Sequence, residues 1–118
     1  MIDLEKWIDS IFENDLPEEI VAIAFNLYED ENNQWSIEMI GSSSFDAEDA
    51  DWACGEVFDT RDDLQSWTQA ANWEEILREA SHEIKRYIEV GKYAERLKSY
   101  KGVGLGFVDG DMTIIYQG

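Results

Sequence analysis

The sequence predicts an α+β fold, in which two β-hairpins form a largely antiparallel sheet and helices pack on one of its faces. An apolar stripe at helical spacing runs through residues 73–90, and two pairs of β-rich segments each flank a turn sequence. The chain has 118 residues, of which 44% are hydrophobic. A chain of this length buries roughly two-thirds of its unfolded surface. We therefore expect one globular domain over residues 1–118.

The first part of the chain is predicted to form a helix followed by a hairpin. Apolar residues recur at helical spacing through Ile2–Asn14. Ile20–Glu29 is rich in β-branched and aromatic residues, and Trp35–Ile40 alternates apolar with polar residues. Both segments are predicted strands, joined by the Asn-rich turn Asp30–Gln34. The next four residues, Gly41–Ser44, are interpreted as a flexible connector.

A long helix is predicted over Trp73–Val90. Asn72 can accept a hydrogen bond from the first turn as an N-cap, and Gly91 marks a break because glycine is unfavourable inside a helix. A shorter helical piece is expected at Lys92–Tyr100. The preceding segment, Asp62–Ala71, is ambiguous, with a short helix as one interpretation.

The chain is predicted to end in a second hairpin. Val103–Val108 and Asp111–Gln117 are expected to pair through Asp109-Gly110, a dipeptide typical of tight turns. Three glycines alternate with apolar residues along the first of these strands, at positions 102, 104 and 106. One face of that strand is thus bare backbone, which another element can approach closely. The long helix is the first candidate for that element.

The negative charge is concentrated in the first half of the chain. The net charge of the whole sequence is −18. Residues 1–63 contain 19 Asp and Glu against two basic residues, a net charge of −17, whereas residues 64–118 contain eight acids against seven bases. Such a field repels nucleic acid and anionic membranes and attracts proteins with basic surfaces. Solubility alone is the simpler interpretation of the acidity.

The stretch Phe45–Asp63, called here the acidic segment, carries eight of these carboxylates together with aromatic residues. A disordered acidic tract would lack residues that can pack, so we interpret the stretch as a folded, strongly negative surface. Within it, Trp52–Phe58 fits a short third strand. Removing an anchor residue from such a surface weakens binding more than removing a peripheral charge. The candidate partner-binding residues are Asp46, Glu48, Asp49, Asp51, Trp52, Glu56, Asp59, Asp62 and Asp63.

No catalytic, cofactor or metal site is predicted from the sequence. His82 is the only histidine and is expected at or near the surface, and Cys54 is expected to be a small buried hydrophobic residue. One cysteine and one histidine exclude a zinc site of the usual type within one chain. The acids from Asp46 onward lack the glycine and the glutamate that an EF-hand loop requires. With no signal peptide and no apolar run long enough to span a bilayer, a cytoplasmic protein is expected.

Three runs carry a resemblance to a group of bacterial proteins: FNLYE at 25–29, QWSIEMIGSSSFDAEDADWACGEVF at 34–58 and GVGLGFVDGD at 102–111. The chain resembles the small, acidic, Trp-rich immunity proteins of polymorphic and contact-dependent toxin systems. The resemblance implies that the chain binds and blocks a cognate toxin. Such toxins are often nucleases, whose active sites are basic because they handle phosphate.

Three other interpretations remain open. The first is a DNA-mimicking inhibitor of a nucleic-acid enzyme, which would space its carboxylates like phosphates over an elongated surface. The second is a small acidic adaptor or regulatory protein. The third is an enzyme that uses two carboxylates as acid and base, which would need them to converge in a deep pocket.

Overall fold

The computed structural model describes residues 3–118, so the predicted helix start at Ile2 lies outside the described residues. Three α-helices and six β-strands make up the fold, together with two 3₁₀ helices at Ala50–Cys54 and Arg61–Asp63. The α-helices are α1 (Glu5–Phe12), α2 (Trp73–Val90) and α3 (Ala94–Lys98). The strands are β1 (Ala22–Glu29), β2 (Gln34–Ser42), β3 (Glu56–Asp59), β4 (Gln65–Thr68), β5 (Gly102–Phe107) and β6 (Thr113–Gln117).

All six strands form one mixed, mostly antiparallel sheet. Its order is β3-β2-β1-β5-β6, and β4 pairs with β2 beside β3. The two predicted hairpins, β1–β2 and β5–β6, are both present, which confirms the α+β prediction. Their central contact is a parallel pair, β1 with β5. Parallel neighbours need a long crossover connection, and the segment containing α2 and α3 provides it.

The helices pack on one face of the sheet, called here the helix face, as predicted. On this face lie the odd-numbered residues of β1, β2 and β5, such as Ile23, Phe25 and Leu27, all fully buried in the main core. Trp7 of α1 lies 6.3 Å from Phe25 between ring centroids. The hydroxyl of Tyr87 in α2 donates to Asp9 Oδ1 of α1 at 2.6 Å. One apolar core therefore joins α1 and α2 to the sheet, and a polar contact joins the two helices to each other.

The other side of the sheet, called here the opposite face, has a second, smaller cluster. It contains Ala22, Ala24, Ile40 and Trp52, all buried. The bare glycine strand is covered by Phe45 and Trp52 and by Asp111 and Met112, which follow β5. A Cβ added at Gly102 would lie 2.1 Å from Phe45, and one at Gly104 would contact Met112 and Trp52. The close approach was predicted correctly, but the acidic segment and the residues that follow β5 make it, and α2 lies on the helix face instead.

Two connections differ from the prediction near the acidic segment. Gly41 and Ser42 belong to β2 and are buried, so the expected flexible connector is only two residues long. The hydroxyl of Ser42 donates to the carbonyl oxygen of Trp52, which fixes the middle of the acidic segment to the sheet. The predicted third strand, Trp52–Phe58, is divided between the end of a 3₁₀ helix and β3. The 3₁₀ helix brings the Trp52 side chain onto the opposite face.

Two further connections were also predicted incorrectly or left ambiguous. Within Asp62–Ala71, residues 65–68 form strand β4, which pairs with the first half of β2. The β5–β6 connection is a five-residue loop, Val108–Met112, and Gly110 does not have the positive φ of a tight two-residue turn. The β5–β6 pairing has a register shift at Val103/Gly104. Within the loop, Gly110 N donates a hydrogen bond to Phe107 O at 2.9 Å.

Candidate protein-binding site

The nine candidate residues lie between the end of β2 and the start of β4. Eight of them are exposed carboxylates, and Trp52 is only 4% exposed, in the smaller cluster on the opposite face. Trp52 thus serves the fold and presents little surface to a partner. The exposed carboxylates are divided among three places: a loop over the opposite face, a pair beside Arg61, and a cleft beside α1.

The first group is the loop from Asp46 to Asp51. Asp46 Oδ1 accepts a hydrogen bond from Glu48 N at 2.9 Å, and Asp49 Oδ1 accepts one from Asp51 N at 3.0 Å. The second bond caps the 3₁₀ helix that carries Trp52. Phe45 contacts Trp52 edge to face at 5.1 Å between centroids. Local hydrogen bonds and two packed aromatic rings therefore hold four exposed carboxylates in a defined place.

The second group is bound to a base within the same chain. Arg61 Nη2 lies 2.6 Å from Glu56 Oε1, and its Nη1 lies 3.5 Å from Asp59 Oδ2. Its Nε lies 3.2 Å from Oε2 of Glu38, a carboxylate of β2 that is fully buried. These contacts, first among them the hydrogen bond to Glu56, raise the pKa of Arg61. One guanidinium thus neutralises part of a group of three carboxylates.

Glu38 is a residue whose role the sequence did not indicate. Asn26 Nδ2 donates to its Oε1 at 3.2 Å, and the Tyr28 hydroxyl donates to the same oxygen. Oε2 accepts no hydrogen bond from any of residues 3–118, although Arg61 Nε is close to it. Burial, and then the hydrogen bond to Glu38, raise the pKa of Tyr28 to about 12. In the sequence, Glu38 is only the polar partner in an alternating strand, which gives no sign of this network.

The third group lines a cleft between the end of α1 and the segment that follows β3. The cleft has a volume of about 250 Å³ and an apolar floor of Ile11, Leu16 and Phe58. We call it the acidic cleft, because four carboxylates surround this floor. They are Asp15, Asp59, Asp62 and Asp63.

Two contacts hold the acidic cleft in place. Trp7 Nε1 of α1 donates to the Asp63 carbonyl oxygen at 3.1 Å. Thr60 Oγ1 accepts from Met39 N at 2.9 Å, which ties the other wall to the sheet. The sequence predicted Asp59, Asp62 and Asp63 as partner-binding residues but not Asp15 or Leu16. Asp15 and Leu16 lie more than 40 residues before Asp59 in the sequence, and only the tertiary fold brings them to the same cleft.

The remaining chemistry-bearing side chains are dispersed. Cys54 is exposed, which corrects the prediction that it is buried: the 3₁₀ helix turns Trp52 inward and leaves Cys54 outside. His82 is exposed on α2. Within residues 3–118, no three His, Cys, Asp or Glu side chains are grouped closely enough to hold a metal ion. None of the helices in this part of the chain has the length and apolar character needed to cross a membrane.

Comparison with known proteins gives no relative from which a function could be transferred. No protein-family model, no curated protein and no solved structure matches this chain.

Proposed function

We propose that this chain is an acidic binding protein that recognises a basic protein domain and blocks it, as an immunity protein blocks its cognate toxin. The observation that carries the proposal is the arrangement of charge: residues 1–63 hold a net charge of −17, and eight carboxylates of the 46–63 segment are exposed on an ordered surface. The only basic residue in that segment, Arg61, is already held by three carboxylates. The charge of this surface therefore complements that of a cationic partner protein.

The acidic cleft offers the most specific contact on this surface. A lysine or arginine side chain has an apolar stem and a charged head. Ile11, Leu16 and Phe58 suit the stem, and the surrounding carboxylates suit the head. Charge-assisted hydrogen bonds of this kind are stronger than neutral ones. A partner that places one basic side chain there would combine apolar burial with ionic contacts.

The exposed loop from Asp46 to Asp51 serves a different step of the same encounter. Charges at the edge of an interface mainly raise the association rate, whereas buried contacts lower the dissociation rate. Fast capture suits a protein that must neutralise a toxin in the cytoplasm before damage occurs. A nuclease-type toxin fits this scheme, since its substrate-binding surface is basic.

The test is binding to the toxin domain encoded next to this chain, together with inhibition of that domain's activity. One variant replaces Asp46, Glu48, Asp49 and Asp51 with their amides, and a second carries Asp62→Asn and Asp63→Asn. We expect slower association for the first, by roughly tenfold at low salt, and faster dissociation for the second. Raising the salt concentration should reduce the difference between the first variant and the unchanged protein, because screening shortens the range of the charges.

A matched control removes two charges from residues 64–118, where acidic and basic residues are nearly equal in number. Glu75→Gln with Glu89→Gln changes two exposed carboxylates of α2 and should leave both rates nearly unchanged. If all three variants bind with the same affinity and the same salt dependence as the unchanged protein, the acidity serves solubility and the proposal is wrong.

A further inference from the structure

A second cavity lies at the end of the sheet where β1 and β5 finish and α2 begins. Its volume is about 670 Å³, more than twice that of the acidic cleft. Four apolar side chains form its wall: Trp73, Leu77, Phe107 and Val108. We call it the aromatic cavity. Three of the nine partner-binding candidates line the acidic cleft, and none of them lines this cavity.

The apolar wall is unusually exposed and well ordered. Trp73 is 51% exposed and Val108 54%, and both are among the few large hydrophobic residues left at the surface. Phe107 contacts Trp73 on one side, with ring centroids 6.2 Å apart and ring planes at 87°, and the buried Trp35 on the other at 6.2 Å. The exposed indole therefore rests on a ring that the core holds in place. Exposed apolar groups clustered in this way are typical of a binding site.

Three carboxylates stand around this wall: Glu29 at the end of β1, and Asp109 and Asp111 in the β5–β6 loop. Among residues 3–118 none of the three forms an ion pair with a basic side chain. The loop that carries two of them is fixed, since Val108 N donates to Leu27 O at 2.9 Å. The negative charge at the rim is thus both ordered and uncompensated.

This combination selects the chemistry of an occupant. A cation gains both from the face of an aromatic ring and from adjacent carboxylates. A neutral apolar group would remove the carboxylates from water without compensation, and an anion would be repelled. The N-terminus of α2, which favours negative groups, is already matched by the Asn72 cap and by Glu74 and Glu75. Of the two basic side chains, arginine fits better because its flat guanidinium stacks on rings and binds carboxylates through two hydrogen bonds.

We propose that the aromatic cavity binds an arginine side chain of a protein partner, with the guanidinium against Trp73 and the carboxylates of Asp109 and Asp111 as its ionic contacts. This inference does not depend on the function proposed for the acidic cleft, because the two cavities share no lining residue.

The experiment uses the full chain and two peptides as probes. One is a pentapeptide with a single central arginine and blocked ends, and the other has citrulline, a neutral isostere, in place of the arginine. Binding is followed by NMR through the indole N–H signal of Trp73, assigned with the Trp73→Phe variant. We expect a saturable shift of this signal with the arginine peptide, and an affinity about tenfold lower for the citrulline peptide.

Variants separate a specific site from general attraction to an acidic protein. Asp109→Asn with Asp111→Asn should weaken binding of the arginine peptide by about three- to tenfold. Glu18→Gln with Glu19→Gln removes the same charge from exposed positions before the opposite end of β1 and should leave binding unchanged. Trp73→Leu, which keeps an apolar side chain, should also weaken binding. All these positions are exposed, and a thermal unfolding curve for each variant confirms that it is folded.

Three results would overturn the inference. The first is equal binding of the arginine and citrulline peptides, and the second is an equal loss of affinity in the two charge variants. The third is an arginine-dependent shift that spares Trp73.

Discussion

The two faces of the sheet are stabilised in different ways. On the helix face, buried apolar side chains from the three α-helices and from β1, β2 and β5 form one continuous core. On the opposite face, apolar packing is limited to the small cluster around Trp52, and the centre of the face holds the buried carboxylate of Glu38 with Tyr28, Asn26 and Arg61. The helix face resembles an ordinary core, whereas the opposite face combines a small apolar patch with a polar network.

This difference shows how the chain can carry so much negative charge. The main core does not involve the acidic segment, apart from the packing of Phe58 against its edge. The segment is joined to the sheet by the pairing of β3 with β2 and, on the opposite face, by Trp52, Phe45 and the Ser42 hydrogen bond. The carboxylates can therefore be changed with little effect on the main core. Their repulsion is a cost of the folded state, and we infer that the helix face offsets it.

The largest expected effect tests the helix face. Phe25→Ala removes a fully buried ring from the main core, and we expect the free energy of unfolding to fall by about 3–5 kcal/mol. The neighbouring residue gives a matched control, since Asn26 lies on the opposite face. Asn26→Ala removes one hydrogen bond to Glu38 and should cost about 1 kcal/mol. Urea denaturation measures both, and equal losses would contradict the division between the faces.

The next effect concerns the glycine strand. A Cβ at Gly106 would lie 2.4 Å from the backbone carbonyl oxygen of Asp111, which cannot move without shifting the β5–β6 loop. We expect Gly106→Ala to destabilise the fold by about 1–3 kcal/mol and to disturb the loop that carries Asp109 and Asp111. At Gly110 the nearest atom to an added Cβ is 3.6 Å away, and φ is not positive. Gly110→Ala should therefore be neutral or slightly stabilising, and a larger loss there than at Gly106 would refute the steric argument.

The sequence predicted those elements whose signals are local. The bounds of α2 match the prediction at both ends, because the Asn72 side chain accepts a hydrogen bond from Glu75 N and Gly91 ends the helix. Strand alternation likewise predicted which residues of β1 and β2 share a face. The glycine strand shows the limit of this reasoning. The pattern indicated a close approach but not which elements make it, since that depends on the paths of the chain between β2 and β3 and between β5 and β6.

The candidate sites show the same limit more strongly. The acidic segment was recognisable from its composition, but its division into three groups follows from Trp52 turning inward and from Arg61 turning back toward Glu38. Asp15 joins the acidic cleft only because Trp7 ties α1 to Asp63. The aromatic cavity brings together the end of β1, the start of α2 and the β5–β6 loop. No short-range pattern links three segments so far apart in the sequence.

A smaller effect tests the polar network. Arg61→Gln leaves the Glu38 carboxylate buried without its ionic partner. Breaking a fully buried pair is strongly destabilising, but Arg61 is about half exposed, so we expect a reduced loss of about 1–2 kcal/mol. Glu38→Gln keeps an oxygen for Tyr28 while removing the buried charge, and should change stability by less than about 1 kcal/mol.

The double variant sharpens this test. If the loss in Arg61→Gln comes from the unpaired carboxylate, then adding Glu38→Gln should restore part of the stability. Urea denaturation of the four proteins gives the coupling free energy. Strict additivity of the two single effects would mean that the ion pair contributes nothing and that Arg61 serves only Glu56 and Asp59.

The smallest effect is a pH dependence that can be compared on the two faces. Burial and the bond to Glu38 raise the pKa of Tyr28 to about 12, from an ordinary value of 10.0. Burial and the bond to Asp9 also raise the pKa of Tyr87, a buried residue of α2 on the helix face. Between pH about 10 and about 12 the folded protein therefore holds protons that the unfolded chain has lost. Stability is fully present below pH about 10 and falls as the pH rises through this range.

Replacing each tyrosine with phenylalanine removes its share of that dependence. We expect Tyr28→Phe and Tyr87→Phe each to make the fall in stability with pH less steep, as measured by the urea midpoint at several alkaline pH values. The slope is the quantity to compare, because each substitution also removes a hydrogen bond at neutral pH. A slope unchanged in Tyr28→Phe but reduced in Tyr87→Phe would mean that the network on the opposite face opens to solvent before the core does. The two faces would then differ in cooperativity as well as in composition, and the helix face alone would determine global unfolding in alkali.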